Sequence, residues 1–197
     1  SLPGPNPHAA VSPYGINIDL LGTDPADRQA ALDQIAAAGF RWVKQPVPWD
    51  QDGNLASLLD SATALELNVV LLLGGNPETG YAPPADPQDF ATWAGRLAAL
   101  YGSQVTYYQI WDEPNLGSHW GGGPVNPAEY AALLAAAYDA IRAADPDAVI
   151  IAAALAPTLE SGSDNLSDLE YLAQLYELGA CAYFDVAAGK PYGFDTG

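Results

Sequence analysis

Two adjacent acids, Asp112 and Glu113, follow directly on an apolar and aromatic run at 105–111. Val, Thr, Tyr and Ile make up most of this run and predict a buried strand, because such side chains suit a pleated, packed surface. Pro114 then ends the strand, since it lacks a backbone donor for the ladder. In barrels of alternating strands and helices, the carboxyl end of a strand carries catalytic groups, so both carboxylates are candidates. A structural salt bridge or a helix cap is the alternative role.

Hydrophobic periodicity predicts six strands separated by five helices. The strands are expected at 14–20, 41–47, 69–73, 105–111, 149–154 and 184–188. Four helices begin at capping residues, and proline directly follows three of these, which are Asp24, Asp86 and Asn126; the fourth is Ser167. Strands that alternate with helices predict an α/β protein with a mostly parallel sheet.

The parallel sheet is either open and doubly wound or closed into a barrel. An open sheet of this class usually carries a Gly-rich phosphate loop after its first strand, and residues 21–24 contain no such pattern. We therefore predict an incomplete (β/α)8 TIM barrel of about six units at 14–197, preceded by a Pro-rich lead-in at 1–13. Two absent units would expose parallel edges, so we expect the gene product to continue or another chain to complete the sheet.

Composition narrows the classes of partner. The chain has 24 acidic and 6 basic residues and a net charge of −18, which argues against nucleic acid and anionic membrane surfaces. No apolar run reaches the roughly 20 residues of a membrane helix, so membrane insertion is not expected. The single cysteine, Cys181, excludes a disulfide framework and is interpreted as a small buried residue. No His, Cys or carboxylate set has metal-ligand spacing, and we predict no metal and no cofactor.

Three stretches resemble motifs of the clan A retaining glycoside hydrolases, which include cellulases and β-xylosidases. Residues 110–115 read Ile-Trp-Asp-Glu-Pro-Asn and are similar to the Trp-Asn-Glu-Pro-Asn signature that ends the fourth strand of those enzymes. Residues 42–49 resemble the second strand, and residues 185–194 resemble the sixth, which usually ends His-Pro-Tyr. The stretches occur in the family's order and span nearly the whole chain.

The resemblance implies a TIM barrel that cleaves β-linked saccharides with retention. It assigns Glu113 as the general acid/base and places the nucleophile, a second glutamate, at the end of a seventh strand outside this chain. Retaining hydrolysis needs the two carboxyl groups about 5–5.5 Å apart, because one protonates the leaving oxygen while the other attacks the anomeric carbon. The expected partner is an oligosaccharide or polysaccharide, and the expected location is extracellular or at the cell surface.

Three charged residues depart from the family pattern. Asp112 stands where asparagine is usual, Lys190 where histidine is usual and Lys44 where arginine is common. We expect the two lysines to neutralise Asp112 and Glu113 across the mouth of the barrel. A lysine near Glu113 favours its ionised form, which opposes a general-acid role at neutral pH. The site is therefore hypothesised to be weak or inactive; alternatively, the lysines contact an acidic sugar.

The predicted substrate-binding set combines charged and aromatic residues at strand ends: Asp112, Trp49, Lys44, Lys190, Tyr192 and Trp120. The aromatic members are candidate stacking platforms, because ring faces complement the C–H faces of a pyranose. Packing at the barrel rim is their alternative role. His119 lies in a Gly-rich loop and is interpreted as an exposed residue without a role in the site.

Two rivals to a hydrolytic function stay open. A catalytically inactive barrel could act as a carbohydrate-binding or structural assembly subunit, and the residue at the end of strand seven would separate this role from hydrolysis. An α/β binding protein with an open sheet would show no barrel curvature. The enzymatic interpretation depends on the family likeness and one well-placed carboxylate, because a fold does not dictate a function.

Overall fold

Five parallel strands form the sheet within the described part of the chain, and each pairs with the next one in sequence. The computed structural model describes residues 14–190 and residue 192, so the predicted lead-in at 1–13 lies outside the described residues. The strands are β1 (Gly15–Asn17), β2 (Trp42–Pro48), β3 (Asn68–Gly74), β4 (Tyr107–Ile110) and β5 (Val149–Ile151). Their spatial order follows the sequence without the reversal that defines a doubly wound sheet. The chain is an incomplete TIM barrel, which confirms the predicted fold class.

Five helices accompany the strands: α1 (Pro25–Ala37), α2 (Leu55–Ala64), α3 (Pro87–Tyr101), α4 (Pro127–Ala144) and α5 (Asp168–Glu177). The predicted caps are in place. The side chains of Asp24, Asp86 and Asn126 accept hydrogen bonds from backbone N–H groups of the first turn, and Ser167 does the same for α5. These donors would otherwise lack an intrahelical partner, so each cap fixes where its helix begins.

The prediction of a regular sixth strand at 184–188 is wrong. Isolated parallel bridges, including one at Val186, hold this segment beside β5. The carboxylate of Asp185 replaces part of the ladder: it accepts from the backbone N–H of Ile150 at 2.8 Å and from Arg142 at 2.7 and 2.8 Å. The segment therefore occupies the expected position without the geometry of a strand.

Side chains alternate between two faces of the sheet, as the period of a strand requires. The outer face packs against the helices and is fully buried at Val43, Val47, Leu71, Leu73, Tyr108 and Ile110. Phe90 and Leu97 of α3 and Leu134 of α4 belong to the same core. The opposite face carries Lys44, Leu72 and Gln109, which line a cleft. The hydrophobic core thus lies between sheet and helices, and the inner face is available for polar groups.

Tyr130 of α4 links the helix layer to two strand ends. Its side chain is fully buried, and its hydroxyl donates to the carbonyl of Ile110 at 3.0 Å and accepts from the backbone N–H of Ala153 at 2.7 Å. Burial raises the pKa of this phenol, so it stays protonated and able to donate. Ile110 ends β4 and Ala153 follows β5, so one hydroxyl fixes these two neighbours relative to each other.

We expect Tyr130→Phe to lower the free energy of unfolding by about 1 to 3 kcal/mol, because the buried N–H of Ala153 loses its acceptor. Urea denaturation measures the change. Tyr176→Phe is the matched control: this tyrosine of α5 is 60% exposed, and the change should stay within about 0.5 kcal/mol. Equal effects of the two substitutions would contradict a structural role for the Tyr130 hydroxyl.

Candidate active site

The carboxyl ends of the strands border two neighbouring clefts, and Asp112 lines both. The first cleft has a volume of about 250 Å³, and its polar and aromatic lining includes Asp19 after β1, Tyr81 after β3 and His119 after β4. The second cleft has a volume of about 350 Å³ and is lined by Asn17, Lys44 and Gln109 of the strands and by Lys190 and Tyr192 among the last described residues. The predicted site therefore coincides with concave surface.

One ammonium group bridges the two predicted carboxylates. Lys190 Nζ lies 2.7 Å from Asp112 Oδ2 and 2.7 Å from Glu113 Oε1. The three side chains are largely buried, with exposed fractions of 15% for Lys190, 28% for Asp112 and 16% for Glu113. Such charge-assisted hydrogen bonds are shorter and stronger than neutral ones. The structure thus places Lys190 where the sequence predicted a counter-charge.

The two lysines of the predicted site differ in their partners. Burial disfavours the ammonium of Lys190, but hydrogen bonds to Asp112 and Glu113 outweigh this effect and raise its pKa above the ordinary value. Lys44 lines the second cleft, yet it forms no ion pair with the residues that the structure describes. The expected neutralisation is therefore carried by Lys190 alone within that part of the chain.

The backbone around the carboxylates departs from strand geometry. Trp111 has a φ of 70° and Glu113 a φ of 51°, in the left-handed region that residues other than glycine seldom occupy. Successive side chains of a regular strand point to opposite faces, whereas Asp112 and Glu113 reach the same ammonium. Hydrogen bonds from Trp111 N to Leu73 O at 2.7 Å and from Glu113 N to Ala154 O at 3.0 Å hold this conformation.

The structure adds His119, which the sequence analysis missed. Its Nε2 lies 3.4 Å from Glu113 Oε2, and its ring stacks on Tyr81 with centroids 5.1 Å apart and an interplanar angle of 25°. A 3₁₀ turn at Gly117–His119 brings the ring back toward Glu113. The sequence did show a titratable residue, His119, six positions after Glu113. The contact between them depends on the path of the loop, which the sequence pattern does not describe.

Trp111 anchors the backbone beneath the carboxylates. Its indole is 1% exposed and packs against Phe90 and Trp120, with ring centroids 5.9 and 5.1 Å away. Its Nε1 donates to the carbonyl of His119 at 2.9 Å. Gly75 leaves room for the indole, since a Cβ at this position would lie 2.7 Å from Cζ2 of Trp111. The ring therefore supports the residues on both sides of Glu113.

Asn115, the last residue of the motif, is fully buried and has its whole side-chain amide in hydrogen bonds. Nδ2 donates to the carbonyls of Ala156 and Leu166, both at 2.9 Å, and Oδ1 accepts from the N–H of Ala156 at 2.9 Å. These bonds join the loop after β4 to the loop after β5. Asn115 thus supports the site from within the fold.

The three aromatic residues predicted as stacking platforms differ in their exposure and their surroundings. Tyr192 lines the second cleft and is 65% exposed. Trp49 is half-buried, packs against the core and lines neither cleft. Trp120, the third predicted platform, has a ring that is 4% exposed and packs edge-on against Trp111 and Tyr130. Trp120 therefore offers no free face to a sugar and belongs to the support of Trp111.

Three further observations concern the described residues. No group of three His, Cys, Asp or Glu side chains among them is placed to hold a metal ion. None of their helices combines the length and the apolar character needed to cross a membrane. Cys181 is exposed, contrary to its interpretation as a buried residue, because the 3₁₀ turn Ala180–Tyr183 buries Ala180 instead.

No family model and no curated protein matches the sequence, whereas solved structures match its fold. A family 39 glycoside hydrolase from the gut symbiont Bacteroides cellulosilyticus WH2 has a TM-score of 0.67 and 15% identity, over 90% of this chain and 38% of its own. An endo-1,4-β-mannanase from Rhizomucor miehei has a TM-score of 0.60 and 12% identity, over 81% and 63%. The endoglucanase Cel5A from Thermotoga maritima has a TM-score of 0.54 and 18% identity, over 77% and 58%.

These similarities concern the fold. The chain shares the β/α-barrel fold of these glycoside hydrolases, which agrees with the fold expected from its motifs, and it spans 38% to 63% of the length of these three proteins. At such identities the fold does not carry over activity or substrate, which must be argued from the site itself.

Gly75→Ala should lower the free energy of unfolding by about 1 to 3 kcal/mol, because the added methyl overpacks the Trp111 ring and the Tyr81 backbone. Gly74→Ala is the matched control, since a Cβ at that neighbouring position meets nothing within 4 Å. Its effect should stay within about 0.5 kcal/mol. Thermal or urea unfolding followed by tryptophan fluorescence measures both; equal stabilities would contradict the close packing of Trp111.

Lys190→Met should lower the free energy of unfolding at pH 7 by about 1 to 3 kcal/mol, because two carboxylates lose their donor while partial exposure limits the cost. Lys44→Met, in the same cleft, should change it by less than about 0.5 kcal/mol. The pKa of folded Lys190 lies above the ordinary 10.5, so its contribution is complete below that pH and is lost as the pH rises further. Urea titrations at pH 7 and above 10.5 test both statements; a gap between wild type and Lys190→Met that widens with pH would contradict them.

Proposed function

We propose that this chain forms part of a glycosidase that hydrolyses β-linked saccharides with retention and uses Glu113 as general acid/base. The position of Glu113 carries the proposal. Its carboxylate follows β4 at the carboxyl edge of the sheet and has a titratable group at each oxygen, Lys190 at Oε1 and His119 at Oε2. His119 lines the first cleft and Lys190 the second, so Glu113 lies between the two.

The proposed chemistry needs Glu113 in two protonation states. Its protonated carboxyl donates to the glycosidic oxygen as the first bond breaks, and the resulting carboxylate then takes a proton from the attacking water. The nucleophile is not assigned to a residue of this chain. The proposal therefore requires a completed barrel, supplied by further sequence of the same protein or by another chain.

The second cleft supports the proposed substrate contacts. Asp112 can accept a hydrogen bond from a sugar hydroxyl through the carboxylate that Lys190 orients. Lys44 and Tyr192 line the same cleft and offer a cation and an exposed aromatic ring. A saccharide is the proposed ligand. An extracellular or cell-surface location fits both that ligand and the acidic composition, and we include it in the proposal.

A second candidate function is carbohydrate binding without hydrolysis, and the Lys190 contact favours it. The ammonium 2.7 Å from Glu113 Oε1 already occupies that oxygen in an ion pair. A site held in this state binds hydroxyl groups through its anions but lacks a ready proton for the leaving oxygen. The protein would then act as a binding or assembly subunit with a glycosidase fold.

We expect Glu113→Gln, in the full-length protein, to lower kcat on phenyl β-glycosides by about 10² to 10⁴, the usual contribution of a general acid. Dinitrophenyl β-glycosides should lose much less in their first step, because their leaving group departs without protonation. Steady-state and burst kinetics on both substrates measure this contrast. Exposed Glu177 on α5 provides the matched control, and Glu177→Gln should leave both rates unchanged.

Two other results would decide against acid/base catalysis by Glu113. Equal losses on both leaving groups would assign Glu113 to substrate binding rather than proton transfer. Saccharide binding by the wild type, measured by calorimetry, with no turnover of either substrate would favour the non-catalytic function.

A further inference from the structure

We propose that His119 is a positioning residue that relays protons between water in the first cleft and the carboxylate of Glu113. The inference deepens the proposed function and rests on it, since a relay has a purpose only if Glu113 exchanges protons. It assigns a role to a side chain that the resemblance to other glycosidases does not cover.

The two oxygens of Glu113 have different neighbours. Oε1 accepts a hydrogen bond from Lys190 at 2.7 Å, whereas Oε2 lies 3.4 Å from His119 Nε2. Glu113 is 16% exposed and lines neither cleft, while His119 is 32% exposed and lines the first one. Water in that cleft therefore reaches the imidazole more readily than it reaches the carboxylate. The geometry gives the proton a route through His119 Nε2.

Contacts on three sides hold the imidazole with Nε2 toward Glu113. Its ring stacks on Tyr81, and its Nδ1 lies 3.2 Å from the hydroxyl of Ser118. Its backbone carbonyl accepts the indole N–H of Trp111. The side chain is therefore placed by packing and hydrogen bonds together, which is the condition for a group that must meet its partner repeatedly.

Charged groups surround the pair. Lys190 holds Oε1 of Glu113 in an ion pair, so Oε2 is the oxygen that faces Nε2 of His119. An imidazolium formed by proton uptake from the first cleft thus forms an ion pair with Glu113. The titratable groups that face this pair from neighbouring elements are Asp19, Tyr81, Asp112 and Lys190.

The relay step balances without any further reactant. The Nε2–H bond of the imidazolium breaks, its electron pair stays on nitrogen, and an O–H bond forms at Glu113 Oε2. The neutral carboxyl then gives its proton to the leaving oxygen. In the second half-reaction Glu113 takes a proton from the attacking water and passes it to Nε2 of His119, so the O–H bond at Oε2 breaks and an N–H bond forms. The imidazolium then returns its proton to water in the cleft, which leaves the neutral imidazole and the carboxylate that were present before proton uptake. Both side chains end in their initial states.

NMR titration of His119 tests the pairing directly. The 197 residues contain two histidines, so His8→Gln leaves one imidazole among them, and the spectrum of a His119→Gln variant identifies which signal belongs to His119. In that background, Glu113→Gln should move the titration midpoint of His119 to lower pH, because the anion that pairs with the imidazolium is gone. Lys190→Met should move it to higher pH, because a competing cation is gone. Lys44→Met is the matched control and should leave it in place.

A midpoint that stays constant in Glu113→Gln and in Lys190→Met would overturn the relay, because His119 would then be a packing residue of its loop.

The pH profile of kcat on phenyl β-glycosides supplies the second readout. His119→Gln should shift the alkaline limb to lower pH with KM little changed, because the site loses the imidazole that holds and supplies the proton. An unchanged profile in an active His119→Gln variant would likewise overturn the relay. If the wild type shows no turnover, that result contradicts only the proposed hydrolysis. The NMR titration still tests whether His119 pairs with Glu113.

Discussion

The site depends on the two hydrogen bonds from Lys190 to consecutive carboxylates. Two anions side by side repel each other, and burying them without a counter-charge costs several kcal/mol. Lys190 lies 77 residues after Glu113 in the chain, so the same bonds fix the segment after β5 against the end of β4. One ammonium thus neutralises both carboxylates and holds the segment after β5 in place, at the edge where the sixth strand does not form a regular ladder.

Beneath this charge cluster, apolar packing and hydrogen bonds fix the backbone that presents it. The buried indole of Trp111 and the amide of Asn115 lie on either side of Asp112 and Glu113 in sequence, and each contacts a different loop. The hydroxyl of Tyr130 ties the preceding strand end to β5. Such support from several elements makes an unusual backbone conformation sustainable, because no single contact has to oppose its strain.

The fold was predictable from sequence because its signals are local. Strand periodicity and the caps at Asp24, Asp86 and Asn126 act within a few residues, and the order of elements then selects the barrel. The pairing of Lys190 with the acids followed from the rule that parallel strands end at one edge. The contact of His119 with Glu113 and the burial of Trp120 were not predictable, since both depend on how one Gly-rich loop returns over Trp111. Neither periodicity nor spacing describes such a path.

The left-handed backbone at Glu113 also bears on how such a site evolves. Glycine, asparagine and aspartate occupy this conformation at lower cost than other residues. Glycine and aspartate are each one base change away from a glutamate codon. Such a replacement would relax the backbone at this position, but it would remove or shorten the carboxylate that Lys190 binds. Backbone preference alone therefore does not favour glutamate at this position, and the ion pair with Lys190 is the contact that does.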